Sequence, residues 1–588
     1  MGQLIINNNS MKKLVTLLLI TVSATSFAQK KVDNNNAFDA YKNRFILATW
    51  KQNPAWASSE GFHLYDSILN VPDSDARKSE LLFCSQHLDS LKCFNISTLS
   101  DNNKIDHHLI TAHLQSTQWN INTFKSFIWN PANYNVCGDF AQMLANNYDS
   151  LDTRLRNFYI KLKNVPAYYE AAKLQVKNPT IEHTQLAIMQ NQGGLSAFNE
   201  DLEDALTKSN LNETEKSELI ARAEKATLAI KNYIDHLKNL NNSTPRSFRI
   251  GSELYAKKFE HNIQSGYTAA EICAKAMAHK IDLHNKMYAV TKKLWKQYII
   301  DKALPQNKLL AIKQMIDTLS VNHVAADSFQ TAIEQQIPML TSFIKEKNLL
   351  YLDSSKPLVV RKEPAYMAGV AGASISSPGP YDAMGNTYYN VGSFSGWDSA
   401  RIESYLREYN TYILQILNIH EAIPGHYAQL VYSNKSPSII KSIFGNSAMV
   451  EGWAVYTELM MLENGYGKSN GNSEDEMMLM YYKWNLRSTC NTILDYNVHV
   501  KNLSKENAIN FLINEAFQQK AEAEGKWKRV TVSQVQLASY FTGYTEIYDL
   551  REILKKKMGK SFNLKAFHEK FLSYGSAPVK YIKALMLE

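Results

Sequence analysis

Apolar residues recur along residues 36–350 at alternating steps of three and four, the period of helices that bury one face. The stretch from Asn212 to Leu240 carries the pattern most fully, with Leu219, Ala223, Ala226, Ile230, Tyr233, Leu237 and Leu240 on one stripe. Asn212, followed three residues later by Glu215, resembles a capping box that starts the helix, and the run from Asn241 to Pro245 ends it. Three heptads are too few to demand a coiled coil, so the stripe is assigned to packing within a scaffold.

The texture changes between Lys356 and Trp397, where Pro, Gly and Ser become dense. Within this stretch Leu358-Val359-Val360 and Thr387-Tyr388-Tyr389-Asn390-Val391 read as short strands. Ile402, Tyr405, Leu406, Tyr409, Tyr412, Ile413, Ile416 and Leu417 then predict a helix that runs into His420. A strand placed just before that helix suits an edge on which an extended peptide could pair through its main chain. A structural hairpin accounts for the same residues equally well. Residues 465–473 read as a loop between two helices of the C-terminal half.

The chain of 588 residues, 45% hydrophobic and 20% charged, has the composition of a globular protein and the length for one large body of two lobes or for several domains. Its formal charge of +8 is spread without a Lys/Arg block or an RNA-binding aromatic motif, which speaks against nucleic acid as a partner. Met11 to Ala28 reads as an export signal: Lys12 and Lys13, the apolar LVTLLLITV, then Ser26-Phe27-Ala28. The mature chain is expected from Gln29, with residues 1–10 an upstream extension or a long polar leader. No later run reaches the roughly 20 apolar residues of a permanent span, and no cysteine follows the cleavage site to carry lipid. Cys84, Cys93, Cys137, Cys273 and Cys490 are odd in number and lack C-x-x-C spacing; they allow one disulfide and argue against a thiolate metal site.

The candidate chemistry lies in HEAIPGHYAQ. A zinc-peptidase helix usually carries H-E-x-x-H, which puts two imidazoles on one face with a glutamate free to act as base. Here His426 follows His420 by six residues. In a straight helix that offset leaves the two rings about 120° apart, too far around to share an ion. Pro424 lacks an N–H and crowds the carbonyl of residue 420, and Gly425 adapts freely, so the pair is expected to bend the helix and return His426 to His420. A third ligand is needed. Glu451, in SAMVEGWAVYTE on a returning helix, is the best placed. Glu458, seven residues on and on the same face, either orients a ligand imidazole or lies at the surface. Glu421 would be the proton-accepting carboxylate beside an activated water. Arg487, His499, Tyr540 and Tyr544 are candidate donors to an oxyanion, with Gln429 and Tyr456 weaker candidates for the site. Asp495, four residues before His499, could fix its tautomer or form a simple surface pair. His568-Glu569 shows that a His-Glu pair also arises without a metal partner.

The motif H-E-A-x-P-G-H-x-x-Q, met by His420, Glu421, Ala422, Pro424, Gly425, His426 and Gln429, resembles that of the bacterial secreted proteins grouped as domain of unknown function 885. Gly61, His63, Tyr65 and Asp66, the run Glu451-Gly452-Trp453-Ala454, Arg487 with Asp495 and His499, and Gln536, Tyr540, Gly543, Leu550 and Arg551 resemble its other signatures. Tyr427 and the Gln534-Val535 pair depart from it. The resemblance implies a mainly α, two-lobed zincin-like metallopeptidase of the glutamate-ligand type with a small β patch beside the cleft. On this reading residues 29–355 form a helical scaffold lobe and residues 356–588 a catalytic lobe. The ligands to Zn2+ would be His420, His426 and Glu451, the base Glu421, and the substrate or oxyanion groups Arg487, His499 and Tyr540, acting on short peptides. A metal-dependent hydrolase of other amides or esters, and a non-catalytic helical binding protein of the periplasm, are the rival expectations.

Overall fold

Helices form where the three-and-four pattern places them, and in this computed structural model they make up most of the molecule. The structure describes residues 34–240, 242–356, 358–364, 373–382, 385–468 and 473–588. The expected export signal at residues 1–28 and part of the loop at residues 465–473 lie outside the described residues. Asn212 caps the helix Glu213–Lys238 with a complete capping box, and Leu219 through Leu237 of its stripe are buried. The helix ends at Lys238, a little before the expected stop.

The apolar core does not divide at residue 356. One cluster is built from residues between Leu69 and Leu237 and includes the Glu213–Lys238 stripe. The other joins Phe38 to Trp129 with Phe248 to Ile582, so the N-terminal helices share a core with the C-terminal half. A buried polar knot reinforces that union. Lys441 donates to Asp106 and to Asn102, and Lys42 donates to the other oxygen of Asp106 and to Asn103. All five cysteines are free, so the disulfide that their number allowed is not formed. No helix among the described residues is long and apolar enough to cross a membrane.

The β patch is a three-stranded sheet of β1 (Leu358–Lys362), β2 (Ala373–Ser376) and β3 (Thr387–Val391), in the order β1-β3-β2. β1 and β3, both legible in the sequence, run parallel and therefore are not arms of one hairpin. β2, which sequence reading missed, pairs antiparallel with β3 and forms one edge. Buried Tyr389 of β3 donates its hydroxyl to Asn418 at 2.8 Å, which fixes the sheet against the helix bearing His420.

Two further helices set the geometry of the C-terminal half. Ser447–Glu463 and Ser539–Met558 cross with their backbones in contact at Gly452 and Gly543. A Cβ on Gly452 would lie 2.3 Å from the carbonyl carbon of Gly543, and one on Gly543 would lie 1.7 Å from the Ala448 oxygen. Only glycine fits either position. The crossing brings Glu451, one residue from Gly452, toward the helix that carries Tyr540.

Candidate metal centre

Asn410 starts the helix Thr411–Glu421 by accepting from the backbone of Tyr412 and Ile413. That helix stops at Glu421, and a new one begins at His426. The expected bend is thus a full break, with a cis Ile423–Pro424 peptide inside it. Trp453 secures it by donating its indole N–H to the Pro424 carbonyl at 2.9 Å. Gly425 makes the tight return feasible, since a Cβ there would fall 1.8 Å from the His420 oxygen and 2.4 Å from that of Ile419. As a result the His420 and His426 ring centroids lie 4.8 Å apart, nearly perpendicular.

Glu451 completes the group. Its Oε2 lies 3.7 Å from His420 Nε2 and 3.4 Å from His426 Nε2, too long or misdirected for hydrogen bonds. That oxygen is buried and has no hydrogen-bond partner among the described residues, and the same holds for His426 Nδ1. One ligand atom from each of the three residues can be chosen with all of them within 4.8 Å of one another. A buried carboxylate oxygen left unbonded between two imidazoles is costly unless something shares it. Two imidazoles and a carboxylate suit zinc, which accepts that donor set with a position left open.

The far side of His420 is held as a metal ligand's would be. Its Nδ1 pairs with Glu458 Oε1 at 2.7 Å, and Trp484 donates to the same oxygen at 3.0 Å. Glu458 is completely buried, so the surface alternative for it is wrong. It sits in a helix that is apolar on nearly every face, where a carboxylate needs a partner. His568 provides a contrast: its two nitrogens are already taken by Tyr456 and the Leu349 carbonyl, a structural histidine with nothing left to ligate.

Burial opposes charge on His420, yet the carboxylates of Glu451 and Glu458 push its pKa up to about 10. Burial would raise Glu451 too, but the two imidazoles hold it well below the ordinary carboxylate range. Glu421 goes the other way. Its burial raises its pKa against the pull of His426 and His420, and it accepts no hydrogen bond from the described residues. A carboxylate so placed binds a proton more readily than one in water.

The other sequence candidates divide. Tyr540 is at the site: its ring stacks at 6.4 Å on His420, and its hydroxyl accepts from Arg529 at 2.9 Å. Arg487 flanks it, gripped through Nε and Nη2 by Glu522 Oε1 and lying over the Trp484 ring. The structure does not bring His499 to the group. That residue packs against Phe248 and Tyr255 and turns Nε2 to the carbonyls of Val530 and Ser533. Those carbonyls, not Asp495, fix its tautomer, because Asp495 lies 3.7 Å away and accepts from the backbone of Val535 and Leu537. Tyr544 packs against Phe541 and Tyr548, Gln429 donates to Ser576, and Tyr456 is engaged with His568. Sequence reading missed Arg529, Trp484 and Glu522. For Arg529 and Glu522 a signal existed: Glu522, Lys526 and Arg529 fall at i, i+4 and i+7 on the helix Lys520–Val532.

Fold and site together define a mainly helical protein whose C-terminal half gathers a His-His-Glu group, with His420 buried and His426 and Glu451 partly exposed. More particularly, the chain belongs to the family DUF885, described as a bacterial protein of unknown function, whose profile matches residues 54–586. It is similar to the solved structure of a candidate lipoprotein of unknown function from Shewanella oneidensis, with 52% identity, a TM-score of 0.83, and coverage of 94% of this chain and 100% of that one. A candidate lipoprotein from Colwellia psychrerythraea shares the fold at 16% identity and a TM-score of 0.75, over 94% of this chain and 98% of its own. No curated protein matches significantly.

Proposed function

We propose that the protein is an exported, zinc-dependent metallopeptidase of zincin-like plan that hydrolyses short peptides. The observation that carries this reading is the convergence of His420, His426 and the unbonded Glu451 oxygen, with the Glu421 carboxyl near enough to feel both imidazoles. A kinked scaffold helix requires neither a free buried carboxylate nor Glu458 behind His420. Zinc held by these three residues would supply Lewis acidity, polarising a carbonyl and acidifying water. The rest falls to the chain's own groups. Glu421 takes the proton from the attacking water and returns it to the leaving amine. Tyr540, whose hydroxyl accepts from Arg529 and whose pKa is raised by burial, keeps its proton and donates it in a hydrogen bond to the developing oxyanion. Export is supported by the leader-like residues 11–28 and by the description of both solved relatives as candidate lipoproteins.

Metal analysis of the purified protein and of Glu421→Gln tests the reading. Near-stoichiometric zinc in both, with hydrolysis lost only in the variant, is expected; wild-type protein without bound metal sinks it. A peptide-library digest read by mass spectrometry separates peptides from other amides or esters. Survival of every peptide while a model ester is cleaved would move the activity to the latter class.

A further inference from the structure

The helix Lys520–Val532 turns Glu522, Lys526 and Arg529 toward the site, and Arg487 meets them from the helix Glu474–Val500. Three cations thus gather in one corner, and Glu522 is the carboxylate in direct contact with two of them, Arg487 and Lys526. Arg487 uses it through two nitrogens, at 3.1 and 2.7 Å. Arg529 is spent on Gln536 and Tyr540. Lys526 is left with the least: it is 3% exposed, and its one ion-pair contact among the described residues is Glu522 Oε1 at 3.5 Å, an oxygen Arg487 already holds. A buried ammonium without its own counter-ion is strongly disfavoured. Burial, with Arg487 and Arg529 adding to it against Glu522, lowers the Lys526 pKa to about 7, as expected where an anion is missing.

This cationic corner touches the metal centre on two sides. Arg529 holds the Tyr540 hydroxyl, and the Tyr540 ring stacks on His420. Arg487 lies over Trp484, which bonds Glu458, the partner of His420. Arg487 is close enough to pull on the charge of Glu421, and Arg529 to feel that of Glu451, so an anion held in this corner would lie on the flank of the metal group. Arginine and lysine side chains that converge in a water-poor corner select a carboxylate over a neutral amide, because only the charged group repays their desolvation.

We propose that Lys526 and Arg487 form a carboxylate subsite, so that the substrate carries a free carboxylate close to the scissile amide, as at the C-terminal end of a short peptide. This rests on the hydrolytic reading of the metal centre, and the test keeps the two apart. Calorimetry on metal-free protein compares N-acetylphenylalanine with its C-terminal amide, in wild type and in Lys526→Met. Binding of the acid at least tenfold tighter than the amide in wild type, with the preference lost in Lys526→Met, is expected. Equal binding of the two probes, binding of neither, or an undiminished preference in the variant overturns the subsite. Zinc-loaded protein is assayed in parallel on peptides with free and amidated C-termini: preference for the free acids, with a raised KM in Lys526→Met, agrees with the proposal. If no peptide is cleaved while calorimetry retains the Lys526-dependent preference, the peptidase reading fails and the subsite stands.

Discussion

Gly425→Ala is a one-carbon change that separates the metal site from the fold around it. The added Cβ would lie 1.8 Å from the His420 oxygen and 2.5 Å from its carbonyl carbon, whereas real Cβ contacts essentially never fall below 3.0 Å. The atoms in the way are backbone, so no rotamer relieves the clash. The segment must open by about 1 Å or more; a ligand imidazole that loses its set orientation costs about 10- to 100-fold in metal affinity, and overpacking of this kind costs about 1–3 kcal/mol of stability. Because the obstructing carbonyl belongs to His420 itself, the movement falls directly on the 4.8 Å spacing of the two imidazoles. Gly138→Ala is the control, since a Cβ there meets nothing within 4 Å. Zinc affinity is measured by competition against a chromophoric chelator, and folding by urea unfolding of the metal-free proteins. Gly425→Ala should remain folded and lose about tenfold to a hundredfold in affinity, while Gly138→Ala should match wild type. A Gly425→Ala protein that binds zinc as wild type does would refute the argument that the break exists to join the two histidines.

Glu458→Gln keeps the volume but removes the charge behind His420; zinc affinity should fall about 10- to 100-fold by the same competition, and an unchanged value would reduce Glu458 to a packing role. Gly452→Ala drives a Cβ to 2.3 Å from the Gly543 backbone, so stability should drop by about 3 kcal/mol, the upper end for overpacking; a urea-unfolding loss under about 1 kcal/mol would mean that the helices separate freely. His183, His499 and His568 are buried, and burial lowers each pKa to about 4. The unfolded chain therefore binds more protons between pH 6.5 and 4, so the stability these groups confer is whole above pH 6.5 and erodes below it, by roughly 2 kcal/mol each at pH 5. His499→Gln should flatten that acid slope by close to one proton in denaturant titrations; an unaltered slope would show that His499 is protonated without cost.

Much of this was legible along the chain, and what was not has identifiable causes. The stripe from Leu219 to Leu237 and the Asn212 cap are local matters of periodicity and hydrogen bonding, and both appear where the sequence puts them. The six-residue offset from His420 to His426 excluded a straight helix shared around one ion by arithmetic alone. Arithmetic did not distinguish a bend from a stop and restart, which depends on Trp453 reaching the Pro424 carbonyl from a distant helix. β2 was missed because Ala373–Ser376 is small and polar and owes its strand to pairing with β3. His499 was misjudged for a related reason: four-residue spacing from Asp495 places two side chains on one face but says nothing of what that face meets. Glu458 is the instructive case. Every face of SAMVEGWAVYTELMML is apolar enough to be buried, so a glutamate within it had to be either a defect or half of a pair. The same logic singles out Lys526, another buried charge of the C-terminal half, whose one carboxylate contact among the described residues is an oxygen that Arg487 also holds. Glu458 found its partner in His420, whereas Lys526 shares Glu522 with Arg487, and a substrate carboxylate would give it an anion of its own.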